Sequence, residues 1–250
     1  MSRKRGSQTS RTSDTLPSEE ALNRREKRKL QRKGTPCIKL EPMTEAQGEY
    51  LKLLQTKRVV IAEGPAGTGK TFMAVTYGLK QIMAGKFEKL IVTRRAIEAD
   101  DDKIGFLPGD KNEKLYEYMR PSISVIAKHL RIASTLPSIA STGFVEIEHL
   151  GSLRGMTFEN SFIVLDEAQN TTDKLMKMFL TRMGRGCQAV ICGDLTQNDL
   201  PRGKKSGLAE ALRRLPENGI FGLQKFSEED VQRSDIVSAV LAAWPDEVSV

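Results

Sequence analysis

Short, unbroken apolar runs recur along the chain after residue 57, and polar or helix-like segments separate them. Runs of this kind predict strands that are buried on both faces, as in parallel sheets. Residues 144–150 instead alternate apolar and acidic side chains, which predicts a strand with one partly exposed face. In chain order, the predicted strands cover residues 57–63, 90–93, 144–150, 161–165, 188–192 and 220–226.

Between these strands, apolar residues recur at helical spacing, and capping residues mark several of the starts. The predicted helices cover residues 44–55, 71–83, 111–132, 171–183, 204–215 and 227–244. Pro121 is expected to kink the third of them, and residues 134–143 are expected to form a surface loop. Strands that alternate with helices predict an α/β fold, with one parallel sheet flanked by helices.

Positive charge is concentrated at one end of the chain. Residues 1–33 contain eleven Lys or Arg and four Asp or Glu, whereas the remaining residues contain 28 of each sign. We therefore predict a basic N-terminal arm over residues 1–36, disordered or partly helical, and a single globular domain over residues 37–250. The arm suits two roles, either binding the phosphates of RNA or DNA or keeping the protein in solution.

Composition argues against two further classes of protein. No apolar run reaches the roughly eighteen residues that a membrane span needs, and the N-terminus lacks the apolar core of a secretion signal. The three cysteines, Cys37, Cys187 and Cys192, have no C-x-x-C spacing, which disfavours a disulfide framework or a zinc site. A reducing cytoplasm is the expected location.

The first predicted strand runs into a glycine-rich segment with a strong chemical signature. Residues 64–71 read G-P-A-G-T-G-K-T and match the phosphate-binding pattern G-x-x-x-x-G-K-[ST] in full. A strand before such a loop and a helix after it allow its N–H groups to surround phosphate oxygens. The predicted nucleotide-binding residues are Gly64, Pro65, Ala66, Gly67, Thr68, Gly69, Lys70 and Thr71.

Four side chains have predicted roles in hydrolysis. Lys70 is expected to reach the β- and γ-phosphates, and the Thr71 hydroxyl to ligate Mg²⁺. Asp166, which follows the strand 161–165, is expected to bind the same Mg²⁺ through water. Glu167 comes next as the predicted acceptor of a proton from the attacking water. This pair of carboxylates favours hydrolysis over transfer to a small acceptor.

A polar side chain and a cation would complete this site. Gln197 follows the strand 188–192, and its amide can sense the γ-phosphate or orient the water because it both donates and accepts. Phosphoryl transfer also needs a positive charge near the γ-phosphate, supplied by this subunit or by a neighbour. The spacing does not choose among the candidates, which are Arg154, Arg182, Arg202 and Arg233.

Longer motifs between about residues 40 and 245 together resemble those of PhoH-like proteins. The motifs are G-P-A-G-T-G-K-T at 64–71, G-F-L-P-G-D at 105–110, L-D-E-A-Q-N-T-T at 165–172, M-F-L-T-R at 178–182 and G-D-L-T-Q-N-D-L-P at 193–201. The resemblance implies a P-loop NTPase core of the RecA-like type, similar to the first motor domain of superfamily 1 helicases. It also implies ATP as the nucleotide and hexameric rings as the assembly.

The resemblance assigns roles to two residues whose function the surrounding sequence does not decide. On its own, Gln47 fits an ordinary exposed helix position better than a contact with adenine. Because the family carries a glutamine ahead of the phosphate-binding loop, Gln47 becomes an expected adenine contact. Arg233 becomes the expected phosphate contact among the four arginines.

We therefore expect an Mg²⁺-dependent ATPase that couples hydrolysis to RNA or single-stranded DNA. A superfamily 1 helicase motor closes two such domains on one ATP, and this chain has one, so movement along a strand requires oligomerisation. One alternative is a nucleic-acid-binding or scaffold protein in which ATP only sets the assembly state. A ribonuclease is a weaker alternative, because the sequence shows no separate cluster of metal-binding carboxylates.

Overall fold

The computed structural model describes residues 38–95, 111–201, 203–232 and 236, without the side chains of residues 111–114. These residues all fall within one compact unit of the chain, Pro36–Val250. The predicted arm over residues 1–36 lies outside the described residues. So do the motif at 105–110 and, apart from residue 236, the stretch of the last predicted helix that follows residue 232.

The described strands form a six-stranded sheet in which every neighbouring pair is parallel. The strands are β1 (Val59–Glu63), β2 (Lys89–Arg94), β3 (Val145–His149), β4 (Ser161–Asp166), β5 (Gln188–Gly193) and β6 (Phe221–Lys225). Their order across the sheet is β3-β2-β4-β5-β1-β6. The partly exposed strand predicted at 144–150 is β3, which lies at the edge of the sheet that the described strands form.

Six described helices connect or flank these strands. They are α1 (Glu45–Thr56), α2 (Lys70–Met83), α3 (Lys111–Leu130), α4 (Leu136–Ala140), α5 (Asp173–Leu180) and α6 (Gly207–Arg214). Thr44 caps α1 as predicted, since its side chain accepts a hydrogen bond from the Gln47 N–H at 3.2 Å. No helix among the described residues is both long enough and apolar enough to cross a membrane.

Two predictions of local structure were wrong. The predicted loop 134–143 contains the helix α4, which Thr135 begins by accepting a hydrogen bond from the Ser138 N–H at 3.3 Å. The predicted start of the last helix at residue 227 is also wrong, because Ser227 begins only a 3-10 turn, Glu228–Asp230, and the backbone is extended again at Val231, whereas Ile236 is helical. A cap fixes one turn of backbone, whereas contacts with the rest of the fold decide how far a helix continues.

The strand order brings the predicted catalytic segments to one edge of the sheet. β5 separates β1, which ends at the glycine-rich loop, from β4, which ends at Asp166. β4 and β5 are buried along their whole length. The ligand-bearing edge of an open parallel sheet is the one at the carboxyl ends of its strands. The predicted α/β architecture, one parallel sheet flanked by helices, is confirmed.

Two helical glycines form a matched pair for testing how α2 packs. Among the described residues, and outside the backbone of its own helix, no heavy atom lies within 4 Å of a Cβ at Gly48 in α1, so Gly48→Ala is expected to raise the free energy of unfolding by about 0.5–1 kcal/mol. A Cβ at Gly78 in α2 would lie 2.6 Å from Phe162 Cδ1, so Gly78→Ala is expected to lower it by about 1–3 kcal/mol. Urea denaturation measures both changes. An equal change in the free energy of unfolding for both variants would contradict the close packing of α2 on β4.

Candidate active site

The loop between β1 and α2 depends on three glycines. Gly64 has a φ of 143°, and Gly67 and Gly69 each have a φ of 84°, in the range that glycine adopts far more readily than other residues. Space is also restricted, since a Cβ at Gly64 would collide with the carbonyl oxygen of Phe226. Gly69 then serves as the N-cap residue of α2. The sequence therefore folds here into a tight turn that leads directly into a helix N-terminus.

The ammonium group of Lys70 is held inside this loop. Its Nζ lies 2.6 Å from the carbonyl oxygens of both Gly64 and Pro65, and 3.3 Å from Thr68 Oγ1. Burial lowers the pKa of Lys70, because the charged form loses part of its hydration. A cation enclosed by glycine-rich backbone gives the loop the charge as well as the shape of an anion-binding site.

Thr71 and Asp166, the two predicted metal ligands, meet at the end of β4. Thr71 Oγ1 donates a hydrogen bond to Asp166 Oδ1 at 2.6 Å, although the two residues are 95 positions apart in sequence. Burial raises the pKa of the Asp166 carboxyl group, and the bond from Thr71 opposes that rise. Mg²⁺ typically takes one or two protein oxygens and completes its shell with water and phosphate. This pair of oxygen ligands therefore fits the predicted ion.

Glu167 follows with an unusual backbone conformation. Its φ of 50° and ψ of 47° lie in the left-handed helical region, which is uncommon for a residue with a side chain. Such conformations persist where surrounding contacts impose them, and they cluster at functional sites. Its carboxylate accepts a 2.6 Å hydrogen bond from Gln169 Nε2. The predicted proton acceptor is thus fixed in both its backbone and its side chain.

Gln197 lies in the turn that follows β5 and is exposed. Its Nε2 donates to Oδ2 of the buried Asp194 at 3.0 Å. The other oxygen of that carboxylate accepts from the Thr196 N–H at 2.9 Å and from the Thr196 hydroxyl at 2.6 Å. Because β1, β5 and β4 are adjacent, the structure brings Lys70, Glu167 and Gln197 to the ends of three neighbouring strands.

Gln169 is a site residue that the residue-by-residue reasoning missed. The side chain is fully buried. It contacts both Glu167 and the turn after β5, which carries Gln197. Its place two residues after Glu167, still within the strand-end block, was the available signal. That signal was weak, because only the folded structure shows which neighbour a buried amide meets.

Gln47 contacts the phosphate-binding loop itself. Its Nε2 donates to the carbonyl oxygen of Thr68 at 3.0 Å, and its Oε1 accepts from the Met43 N–H at 2.8 Å. The residue is 4% exposed, so it is not the ordinary surface glutamine that its position alone favours. These bonds hold α1 against the loop, and the contact with adenine stays a prediction.

A buried hydroxyl and a buried thiol lie beneath the loop. Tyr50 Oη is 3.4 Å from the carbonyl oxygen of Lys70 and 3.7 Å from Cys192 Sγ. The Tyr50 ring packs edge-on against Phe226, with the ring centroids 5.6 Å apart. Burial raises the pKa of Tyr50, and it raises that of Cys192 to about 12. Both groups are therefore neutral at ordinary pH, which suits side chains that pack beneath the loop without contact with water.

This burial predicts that the Cys192 thiol is unreactive in the folded protein. The thiolate is the reactive form, so iodoacetamide at about pH 8 is expected to leave Cys192 unmodified until the protein is unfolded in guanidinium chloride. Mass spectrometry of the peptide that contains Cys192, with and without denaturant, measures the difference. Rapid modification of the native protein would contradict the buried position of β5.

The structure does not single out one of the four candidate arginines. Arg202 and Arg233 lie outside the described residues. Arg182 donates to the carbonyl oxygen of Met156 at 3.3 Å. Arg154 follows a 3-10 turn beyond the edge strand β3.

Comparison with known proteins identifies relatives over most of the chain. The sequence pattern of the family described as "PhoH-like protein" matches residues 39–245. "Protein PhoH" of Escherichia coli strain K12 is 41% identical over 201 residues. A "PhoH-like protein" of Bacillus subtilis strain 168 is 41% identical over 203 residues, and one of Mycobacterium tuberculosis strain H37Rv is 38% identical over 205 residues. The matches cover 80%, 80% and 82% of this chain but 56%, 62% and 58% of these relatives, so the chain spans less than two thirds of their length.

Two solved structures of Pif1 helicases are more distantly similar. The crystal structure of Pif1 helicase from Candida albicans has a TM-score of 0.36 and 15% sequence identity, over 75% of this chain and 41% of that one. A structure of two coordinating Pif1 helicases at forked double-stranded DNA has a TM-score of 0.37 and 16% identity, over 81% of this chain and 48% of that one.

Proposed function

Because the chain belongs to the PhoH-like protein family and has a phosphate-binding loop between a parallel strand and a helix, we propose that it is an Mg²⁺-dependent ATPase. It hydrolyses ATP to ADP and phosphate, and it couples this reaction to the binding or remodelling of RNA or single-stranded DNA as an oligomer. The observation that carries the proposal is the 2.6 Å contact between Thr71 and Asp166. This contact joins the phosphate-binding loop to the strand end that bears Glu167.

Each residue of the loop and the strand end has a part in this chemistry. Lys70 donates from its ammonium to phosphate oxygens, in place of its present bonds to loop carbonyl groups. Thr71 and Asp166 would hold Mg²⁺, which when bound would supply positive charge opposite the phosphates. Glu167 accepts the proton of the attacking water, which its position one residue beyond the metal ligand allows. Gln197 orients that water or senses the γ-phosphate.

The adenine base is assigned to the side of the loop where Gln47 lies. The Nε2 group of Gln47 carries two protons. One of them is donated to the carbonyl oxygen of Thr68. The second proton can be donated to an acceptor nitrogen of the base. This arrangement would connect recognition of the base directly to the shape of the phosphate-binding loop.

The positive charge at the γ-phosphate is assigned to Arg233 or to an arginine of a neighbouring subunit. The residue before Arg233 touches the loop, since the Gln232 N–H donates to the carbonyl oxygen of Gly67 at 3.0 Å. Val231 lies against the same glycine, because a Cβ there would be 3.1 Å from Val231 Cγ1. The two residues that precede Arg233 therefore contact the phosphate-binding loop. Completion of the site by a neighbour is the reason to expect an oligomer.

Nucleic acid is assigned to the basic arm and to the arginines at the end of β2. The arm carries the positive excess of the whole protein, seven charges over residues 1–33. Arg94 is the last residue of β2 and Arg95 comes next, at the edge of the sheet that holds the nucleotide site. Arginine at such an edge suits the phosphates of a strand, which contribute affinity without sequence preference.

The test is ATP turnover by the full-length protein and by a variant that lacks residues 1–36, each with and without RNA or single-stranded DNA. We expect Mg²⁺-dependent phosphate release that a polynucleotide stimulates, with the stimulation lost on truncation. Turnover that no polynucleotide changes would favour a binding or scaffold protein whose assembly ATP controls. Absence of phosphate release under all conditions would refute the ATPase. Sedimentation with and without ATP measures the oligomeric state. A protein that stays monomeric in both conditions would contradict the proposed oligomer.

A further inference from the structure

We propose that Gln169 is the positioning residue of this site. Its buried amide fixes the carboxylate of Glu167 against the turn 194–197, so that the proton acceptor and the γ-phosphate-sensing Gln197 keep one relative geometry. This role rests on the proposed ATP hydrolysis and goes beyond it, because it names how two catalytic groups on different strand ends are held together.

Both ends of the Gln169 amide are used. Nε2 donates to Glu167 Oε2 at 2.6 Å and to the carbonyl oxygen of Gln197 at 3.1 Å. Oε1 accepts from the Asp194 N–H at 3.1 Å. One side chain thus binds the strand end of β4 on one side and both ends of the turn after β5 on the other.

The surroundings of Gln169 are built closely around it. A Cβ at Gly193, the last residue of β5, would lie 2.8 Å from Gln169 Oε1 and 3.2 Å from its backbone nitrogen. A side chain at that position would therefore displace the amide. On the main-chain side, Ser206 Oγ donates to the carbonyl oxygen of Gln169 at 2.8 Å. Its main chain is thus held from α6 and its side chain by the ends of β4 and β5.

The contact also restrains a residue whose backbone is strained. A left-handed conformation at a residue with a side chain persists only when neighbouring contacts hold it. The 2.6 Å hydrogen bond from Gln169 Nε2 ties the Glu167 carboxylate to the 3-10 turn Ala168–Asn170, in which Gln169 lies. Functional groups need such support, because a displacement of about 1 Å at a reacting group can cost about 100-fold in rate.

A second buried glutamine on β5 provides a matched control. Gln188 Nε2 donates to the carbonyl oxygens of Leu54 at 2.6 Å and Lys57 at 2.8 Å. Like Gln169, Gln188 is buried, and its Nε2 group donates two hydrogen bonds. It begins β5, whereas the turn that Gln169 contacts follows the other end of the strand. Methionine at either position keeps the length of the side chain and removes its hydrogen bonds.

The experiment compares Gln169→Met, Gln188→Met and the wild-type full chain. For Gln169→Met we expect kcat for ATP to fall about 10- to 100-fold, with the Kd for a fluorescent ATP analogue within about threefold of wild type. Hydrogen exchange of residues 193–199 is expected to be faster than in wild type. The analogue is expected to protect residues 64–72 but no longer residues 193–199. Gln188→Met is expected to lower Tm without changing kcat or exchange at 193–199.

Several results would overturn the positioning role. One is a kcat within about twofold of wild type for Gln169→Met. Another is an equal loss of kcat and Tm in both variants, which would mean general destabilisation. If the wild-type protein releases no phosphate, the ATPase proposal fails, and the exchange measurement still decides the inference. Unchanged exchange at residues 193–199 in Gln169→Met would then refute it.

Discussion

Glu167→Gln is expected to lower kcat for ATP hydrolysis by about 100- to 10,000-fold, the range that a positioned general base contributes. The substitution keeps the shape of the side chain and removes its ability to accept a proton. ATP binding should change little, because Lys70 and the loop 64–71 hold the phosphates. Phosphate release measures the rate, and the fluorescence of a labelled ATP analogue measures the affinity.

Glu148→Gln is the matched control for this experiment. Glu148 also lies near the carboxyl end of a strand, but that strand is β3 at the edge of the sheet, and its carboxylate accepts from the Ser152 hydroxyl at 2.9 Å. We expect its ATPase rate to match that of wild type. Full activity of Glu167→Gln would move the proton-accepting role to another group. A loss of ATP binding in that variant would instead show that Glu167 supports the loop.

Lys70→Met is expected to weaken ATP binding by about 10- to 100-fold, which corresponds to about 1.4–2.7 kcal/mol. We expect kcat/KM to fall by about 1,000-fold, because the ammonium group also stabilises charge on the transferred phosphoryl group. Methionine retains the unbranched length of the side chain without its charge. Isothermal titration with ATP gives the affinity, and steady-state phosphate release gives kcat/KM.

Lys80→Met controls for the loss of one positive charge from the same helix. Lys80 is exposed in the last turn of α2, so its replacement should leave ATP binding unchanged. The Lys70 variant also removes hydrogen bonds to Gly64 and Pro65, and thermal unfolding must therefore be measured in parallel. If Lys70→Met binds ATP as tightly as wild type does, the loop is not the phosphate site.

The features of the fold and site that the sequence predicted depend on local pattern. Apolar runs located the strands, and the end of each run located Asp166 and Gln197 at one edge of the sheet. The pairing of Thr71 with Asp166 could be anticipated in the same way, because parallel strands place their carboxyl ends together. Such predictions need only the direction of each strand and the periodicity of its side chains.

The features that the sequence did not predict depend on contacts between distant segments. The amide of Gln169 could equally have been a buried cap or a surface group until β5 was placed beside β4. Gln47 likewise contacts Thr68 because α1 packs against the loop, and neither propensity nor spacing encodes that approach. The helix α4 was missed for a local reason: at five residues it is too short for helical periodicity to show.

The place of β1 in the sheet has a consequence for how the protein is made. Its two neighbours are β5 and β6, the last two of the described strands along the chain. During synthesis, the segment of the phosphate-binding loop leaves the ribosome before these two strands, and more than a hundred residues follow it before β5 is made. The Phe226 N–H that bonds Glu63 and the Gln232 N–H that bonds Gly67 arrive still later. A nascent chain therefore gains its nucleotide site only after residue 232 has been made, when the delayed closure of long-range parallel pairing is complete.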